Sequence, residues 1–271
     1  MKRILLASVA ALGLAGTASA ADLAVKAPVV YAPVFTWTGC YLGINGGWIG
    51  GKDDYTSHAV YDPAGFTLAQ VAASQNTYSS DDSAGTAGGQ FGCQTQIGSW
   101  VIGGEWDWNW SGLKEDNTYY YADPAGIFGA IGPWYQYTHK ELDWFSTARV
   151  RLGLAWDRVL VYATGGVAYG AFDAYTNVDF PTPGVSDNWG AYREKRFGWT
   201  VGGGLEWAFA NNWTAKAEFL YLDFGSFDYL SPDPIALNFP WRTEIDAKEY
   251  VARVGINYLF HTGGAPVVAR Y

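Results

Sequence analysis

The chain has 271 residues, of which 16% are charged and 17% aromatic. Its formal net charge of −9 argues against nucleic acid as a partner, because an acidic surface repels phosphate. Beyond residue 20 no stretch offers the roughly 18 consecutive apolar residues of a membrane helix, yet the charge content lies far below the ~25% of an ordinary soluble domain. A barrel that crosses a membrane with strands reconciles the two.

Residues 1–20 begin with Lys2 and Arg3, continue as a short apolar run and end in Ala18-Ser19-Ala20 before Ala21. That is the pattern of a secretory signal. Removing it leaves 15 basic residues against 26 acidic ones, a net −11. Residues 21–35, ADLAVKAPVVYAPVF, read as an extended periplasmic leader. From Thr36 the hydrophobic period is two. Eight alternating stretches follow, at 36–48, 84–98, 100–110, 141–156, 159–172, 196–209, 213–225 and 247–260. Each is near the ~9–11 residues that a tilted strand needs to cross a bilayer.

The connections alternate in length. Gly98-Ser99, Trp156-Asp157-Arg158 and Ala210-Asn211-Asn212 are tight turns. The segments 49–83, 111–140, 173–195 and 226–246 read as long loops. Short turns on one rim and long loops on the other predict an all-β fold, an eight-stranded antiparallel up-and-down transmembrane β-barrel over 36–260. Residues 261–271 form a tail.

Charge decides which face points inward. In EWDWNW, Trp106, Trp108 and Trp110 alternate with Glu105, Asp107 and Asn109. The set in phase with the tryptophans includes Trp48, Trp144, Trp199, Trp207 and Phe260 and carries no ionisable group. It suits lipid and its interfacial belts. The opposite set holds Glu105, Asp107, Arg149, Arg151, Glu206, Lys216, Glu218 and Arg253, four acids and four bases. So few and so balanced, they suit an interior in which each finds a partner. Recurrent inward glycines, Gly43, Gly47, Gly92, Gly153 and Gly255, make room for them. A lipocalin-like soluble barrel with the faces reversed would expose a surface too poor in charge.

Cys40 lies eight residues before Trp48, and Cys93 eight after Gly85. Antiparallel pairing would set them opposite each other on the outward face, as a disulfide or as two free thiols. Nothing predicts catalysis or a cofactor. His58, His139 and His261 share no ligand spacing, and His139 with Asp143 is not a triad. GGVAYG and VGGGLEW lack the context of a phosphate loop and read as strands. Asp53-Asp54 and Asp81-Asp82 could take divalent cations, but read more simply as a solvated acidic loop.

In order and spacing the chain resembles the outer-membrane porin-family β-barrels of alphaproteobacteria, often called outer-membrane immunogenic proteins and similar to the OmpA transmembrane domain. The resemblance rests on ASAADLAVKAP, WTGCYLGINGGW, GGQFGCQTQIGSWVIGGEWDW, DWFSTARVRLGLAWDRVLVYATGGVAYG, GWTVGGGLEWAFANNWTAKAEFLYLDFG and RVGINYLF. It implies a Gram-negative outer-membrane location and a structural barrel, some members being described as small porins. One departure is that HTGGAPVVARY follows Phe260, where such chains usually end at an aromatic residue. The expected function is a non-catalytic barrel that supports the envelope, its lumen plugged by paired charges. The alternatives are a small diffusion porin and a surface adhesin. Expected partners are outer-membrane lipid, lipopolysaccharide and the assembly machinery; the oligomeric state is open.

Overall fold

The computed structural model describes residues 35–63, 67–123, 126, 133–181, 188–232 and 240–261. The signal segment, the leader before Phe35 and the tail after His261 lie outside the described residues. Eight strands follow in order: β1 (Gly39–Ala59), β2 (Asn76–Ile97), β3 (Trp100–Tyr121), β4 (Trp134–Trp156), β5 (Val159–Asp179), β6 (Asn188–Ala208), β7 (Trp213–Ser231) and β8 (Trp241–Phe260). Each pairs antiparallel with the next, and β8 returns to β1 to close the barrel. One short helix, α1 (Leu68–Ser74), interrupts the β1–β2 connection. Thr67 caps it in a reciprocal box with Gln70.

The strands are longer than the alternating stretches. They run from 19 to 23 residues, which at a tilt near 40° gives roughly 50 Å along the barrel axis. An apolar band is only about 25 Å tall, so half of each strand stands outside the bilayer. The segments predicted as long loops are therefore largely strand. The remaining outer connections are 60–75, 122–133, 180–187 and 232–240.

The physical reason is a reversal of sidedness. In the lower half the outward residues are apolar: Leu42 and Ile44 on β1, Phe219 on β7, Val254 and Ile256 on β8. In the upper half water replaces lipid. There Lys52, Asp54, Ser226 and Asp228 point out while Tyr55, Phe227 and Tyr229 point in. Two irregularities help conceal the switch. A bulge between Leu142 and Trp144 inverts the alternation of β4, and another between Asp223 and Gly225 inverts that of β7. Gly225 takes φ 69°, the left-handed conformation that glycine adopts without steric cost.

Aromatic belts mark the bilayer edges. The outer one runs Trp110–Trp108–Trp144–Tyr169–Phe197 across β3 to β6, with ring centroids 4.3–6.3 Å apart. It resumes as Trp199–Tyr221–Tyr250 on β6 to β8. At the periplasmic rim stand Trp207, Phe209, Trp213, Tyr258 and Phe260. Trp106 lies below the outer belt and Trp48 level with it on β1, both outward.

The interior is filled in layers. A plug of Trp37, Val101, Leu160 and Tyr162 lies at the periplasmic end. A large apolar core that includes Tyr55, Leu113, Phe145, Phe172, Leu222 and Phe224 occupies the outer half. Trp134 and Trp241 close the top, rings 5.3 Å apart. Charged side chains thus share the interior with apolar ones: one layer lies between the plug and the apolar core, and a second cluster lies within the outer half. Above the bilayer the barrel has the order of a soluble protein, mainly apolar within and polar without.

Candidate functional site

The eight inward charges meet in one buried layer between the periplasmic plug and the apolar core. Strand register places three pairs directly opposite: Glu105 with Arg149, Glu206 with Lys216, and Glu218 with Arg253. Further contacts extend these pairs, and those from Arg149 to Glu218, from Arg253 to Asp107 and from Lys216 to Glu105 cross the lumen. Arg149 reaches Glu105 at 2.5 Å, Asp107 at 2.8 Å and Glu218 at 3.0 Å. Arg253 reaches Glu218 at 2.6 Å and Asp107 at 2.9 Å. Lys216 lies 2.8 Å from Glu105 rather than beside its register partner. Arg151 turns mainly to Glu206, at 2.6 Å, and only secondarily to Glu105, at 3.6 Å.

Neutral groups complete the layer. Tyr41 donates its hydroxyl to Glu105 at 2.7 Å and accepts from Arg151 at 2.7 Å. Tyr162 donates to Glu218, and the Arg151 guanidinium stands 3.9 Å over the Tyr162 ring. Thr147 and Asn109 donate to Asp107; Thr214 and Asn257 donate to Glu206. Buried carboxylates need such donors in addition to their ion pairs. Gly92 leaves the space that the Tyr41 ring fills, since a methyl group there would collide with it. Neither tyrosine was singled out from the sequence, although Tyr41 has the inward parity of Gly43 and Asn45, and Tyr162 that of Thr164.

A second ionic cluster was not assembled from the sequence, which offered only Asp53 of its members, as a loop acid able to take a divalent cation. The cluster lies above the outer aromatic belt, outside the bilayer, where Lys52, Asp54 and Lys248 face outward. Lys140 pairs with Asp53, with Glu249 at 2.8 Å and with Glu115 at 3.4 Å. Tyr55 donates to Glu115 at 2.8 Å, and the Lys248 amide donates to Asp53 at 3.0 Å. Asp53 is thus no part of a solvated loop; it is wholly buried. Burial outweighs the attraction of Lys140 and pushes the Glu115 carboxyl up to about 8 and that of Glu249 up to about 7.

The other candidates disperse. His139 faces outward and takes Asp116 of β3 as its carboxylate partner at 2.7 Å, with its ring stacked on Tyr175. His261 contacts Thr36 near the periplasmic rim. GGVAYG and VGGGLEW lie within β5 and β6. Cys40 stands directly opposite Cys93 on the outward face, and the two form a disulfide.

A family model described as "Outer membrane protein beta-barrel domain" matches residues 7–260. The chain belongs to that family. It resides in a Gram-negative outer membrane, as its relatives do. It is 35% identical over 269 residues to a 31 kDa outer-membrane immunogenic protein of Brucella melitensis, covering 96% of this chain and all of the relative. A 25 kDa outer-membrane immunogenic protein of the same organism is 24% identical, over 96% of this chain and 99% of its own. Among solved structures, the outer membrane protein OprG from Pseudomonas aeruginosa aligns with 82% of this chain and 97% of its own, at 13% identity and TM-score 0.42. The outer membrane protease OmpT from Escherichia coli aligns with 84% and 99%, at 11% identity and TM-score 0.46.

Proposed function

We propose that the protein is a non-catalytic structural barrel that reinforces the outer membrane and does not conduct solutes. The observation that carries this reading is the continuity of the interior packing: Trp37, the neutral charge layer, the apolar core and the Trp134–Trp241 pair follow one another along the axis, all buried. An eight-stranded barrel has an interior just wide enough for its own side chains. The long outer halves, filled by apolar side chains, have the construction of a rigid post. On this reading the belts seat the barrel in lipid and lipopolysaccharide.

Planar-bilayer recording of the refolded protein tests it. The wild type should show no stable conductance, and Arg151→Ala should at most introduce brief leaks. A steady ohmic conductance of the wild type would overturn the reading in favour of a small diffusion porin.

A further inference from the structure

The two ionic layers differ in balance. The lower one matches four acids with four bases. In the upper one, Asp53 of β1, Glu115 of β3 and Glu249 of β8 share Lys140 of β4, the one basic side chain in contact with them among the described residues. All four side chains are at most 1% exposed. With the three acids ionised, two negative charges stay uncompensated in a buried layer, where unpaired charge is strongly unfavourable.

The geometry suggests what supplies the balance. Three carboxylate oxygens, one from each acid, lie within 4.8 Å of one another. Calcium holds oxygen ligands at 2.3–2.6 Å, so two ligands on opposite sides of one ion stand about 5 Å apart. The three oxygens are therefore close enough to share a single ion of that size, beside the Lys140 ammonium that all three acids already contact. Glu249 offers an unused ligand: its Oε1 accepts from Lys140, but Oε2 is buried and no donor among the described residues reaches it. That oxygen and Glu115 Oε1 both border Gly51. A methyl group on Gly51 would collide with Glu115 Oε1 and sit 3.0 Å from Glu249 Oε2. The glycine thus keeps open the space between two carboxylates of different strands. Lys140 has a second support beside it, the Phe172 ring at 5.6 Å.

We propose that Asp53, Glu115 and Glu249 bind one hard divalent cation of calcium size inside the outer half of the barrel, with Lys140 as a fixed counter-charge. Bound there, the ion brings the layer to neutrality. It also joins β1 and β8, the seam at which the barrel closes, to β3. The remaining coordination positions fall to the second carboxylate oxygens and to water, which hard cations readily retain.

The test uses the full chain refolded in phosphatidylcholine vesicles, stripped with EDTA and equilibrated at pH 7.5 with calcium chloride or magnesium chloride. After removal of free ion, elemental analysis should find one calcium per chain, and the temperature at which the folded band disappears on a gel should rise with calcium. Glu249→Gln and Glu115→Gln should each cut calcium retention by roughly tenfold or more, because affinity follows ligand charge. Asp54→Asn, next in sequence but on the outward face, should leave it unchanged. No retained calcium in the wild type overturns the proposal, as does equal retention in Glu249→Gln. A melting temperature that moves with pH but not with calcium at fixed pH overturns it too, because protons then supply the missing charge. The wild-type comparison with and without EDTA decides the matter even if both variants fail to fold.

Discussion

Arg149→Met is the sharpest probe of the lower charge layer. Methionine keeps much of the arginine stem and removes only the guanidinium, which stands 2.5–3.0 Å from Glu105, Asp107 and Glu218. Four carboxylates then face three bases. Removing one partner from a buried ionic set costs about 3–5 kcal/mol. Here Arg253 still holds Asp107 and Glu218, and Lys216 still holds Glu105. The expected loss is therefore at the lower end, about 3 kcal/mol. Adding Glu218→Gln restores three acids against three bases, while Tyr162 still donates to the side-chain oxygen at that position. The double variant should regain about 1–2 kcal/mol relative to Arg149→Met alone, a coupling well outside additivity. Equilibrium urea unfolding in lipid vesicles, followed by tryptophan fluorescence, reads both. A loss under about 1 kcal/mol for the single variant, or simple additivity in the double, would refute mutual compensation across the lumen.

On the lipid face, Val150 lies midway along β4 between Trp156 at the periplasmic rim and Trp144 in the outer belt, and is 71% exposed. Val150→Arg should cost about 2–4 kcal/mol in bilayers and Trp144→Arg about 0–1; equal costs in vesicle unfolding would mean that the belts do not mark the bilayer edges. The Cys40–Cys93 disulfide spans 53 residues of sequence, and its loss in Cys40→Ala/Cys93→Ala should lower unfolding stability by about 2–4 kcal/mol. In EDTA, Glu115 and Glu249 titrate up to about 8 and about 7 in the folded state, above the ordinary carboxylate range. Raised carboxyl pKa values mean that the native state holds protons that the unfolded chain has released. Their stabilising contribution is thus full at acid pH and is lost as pH rises toward 8. Glu249→Gln should flatten that fall when stability is measured from pH 5 to pH 8.

The lower half of the barrel was legible because lipid and lumen impose opposite chemistry on alternate residues. Glu105, Asp107, Arg149 and Arg151 fall into place from parity alone. The upper half was not, for three reasons. Its outward residues meet water, so the apolar side changes from out to in near Trp48, Trp110 and Trp144. The extra residue at Asp143 then inverts the parity of β4 and carries Lys140 inside. Finally, Asp53, Glu115 and Glu249 read as loop acids until register brings them together from three strands. A period-two pattern that changes sign part-way along a strand resembles a pattern that stops. The disulfide was legible as geometry, since Cys40 and Cys93 are equally spaced from the end of their hairpin, but the bond itself was not.

The reversal of sidedness also means that the two halves answer to different solvents. A thinner or thicker bilayer can strain only the part between the aromatic belts, by tilt or by local deformation of lipid. The upper part draws its cohesion from Tyr55, Phe145, Phe172, Leu222 and Phe224 within, as a water-soluble barrel would. The spacing of the four outer strand pairs is therefore insulated from membrane composition, and it stays constant in width while the lipid beneath it changes.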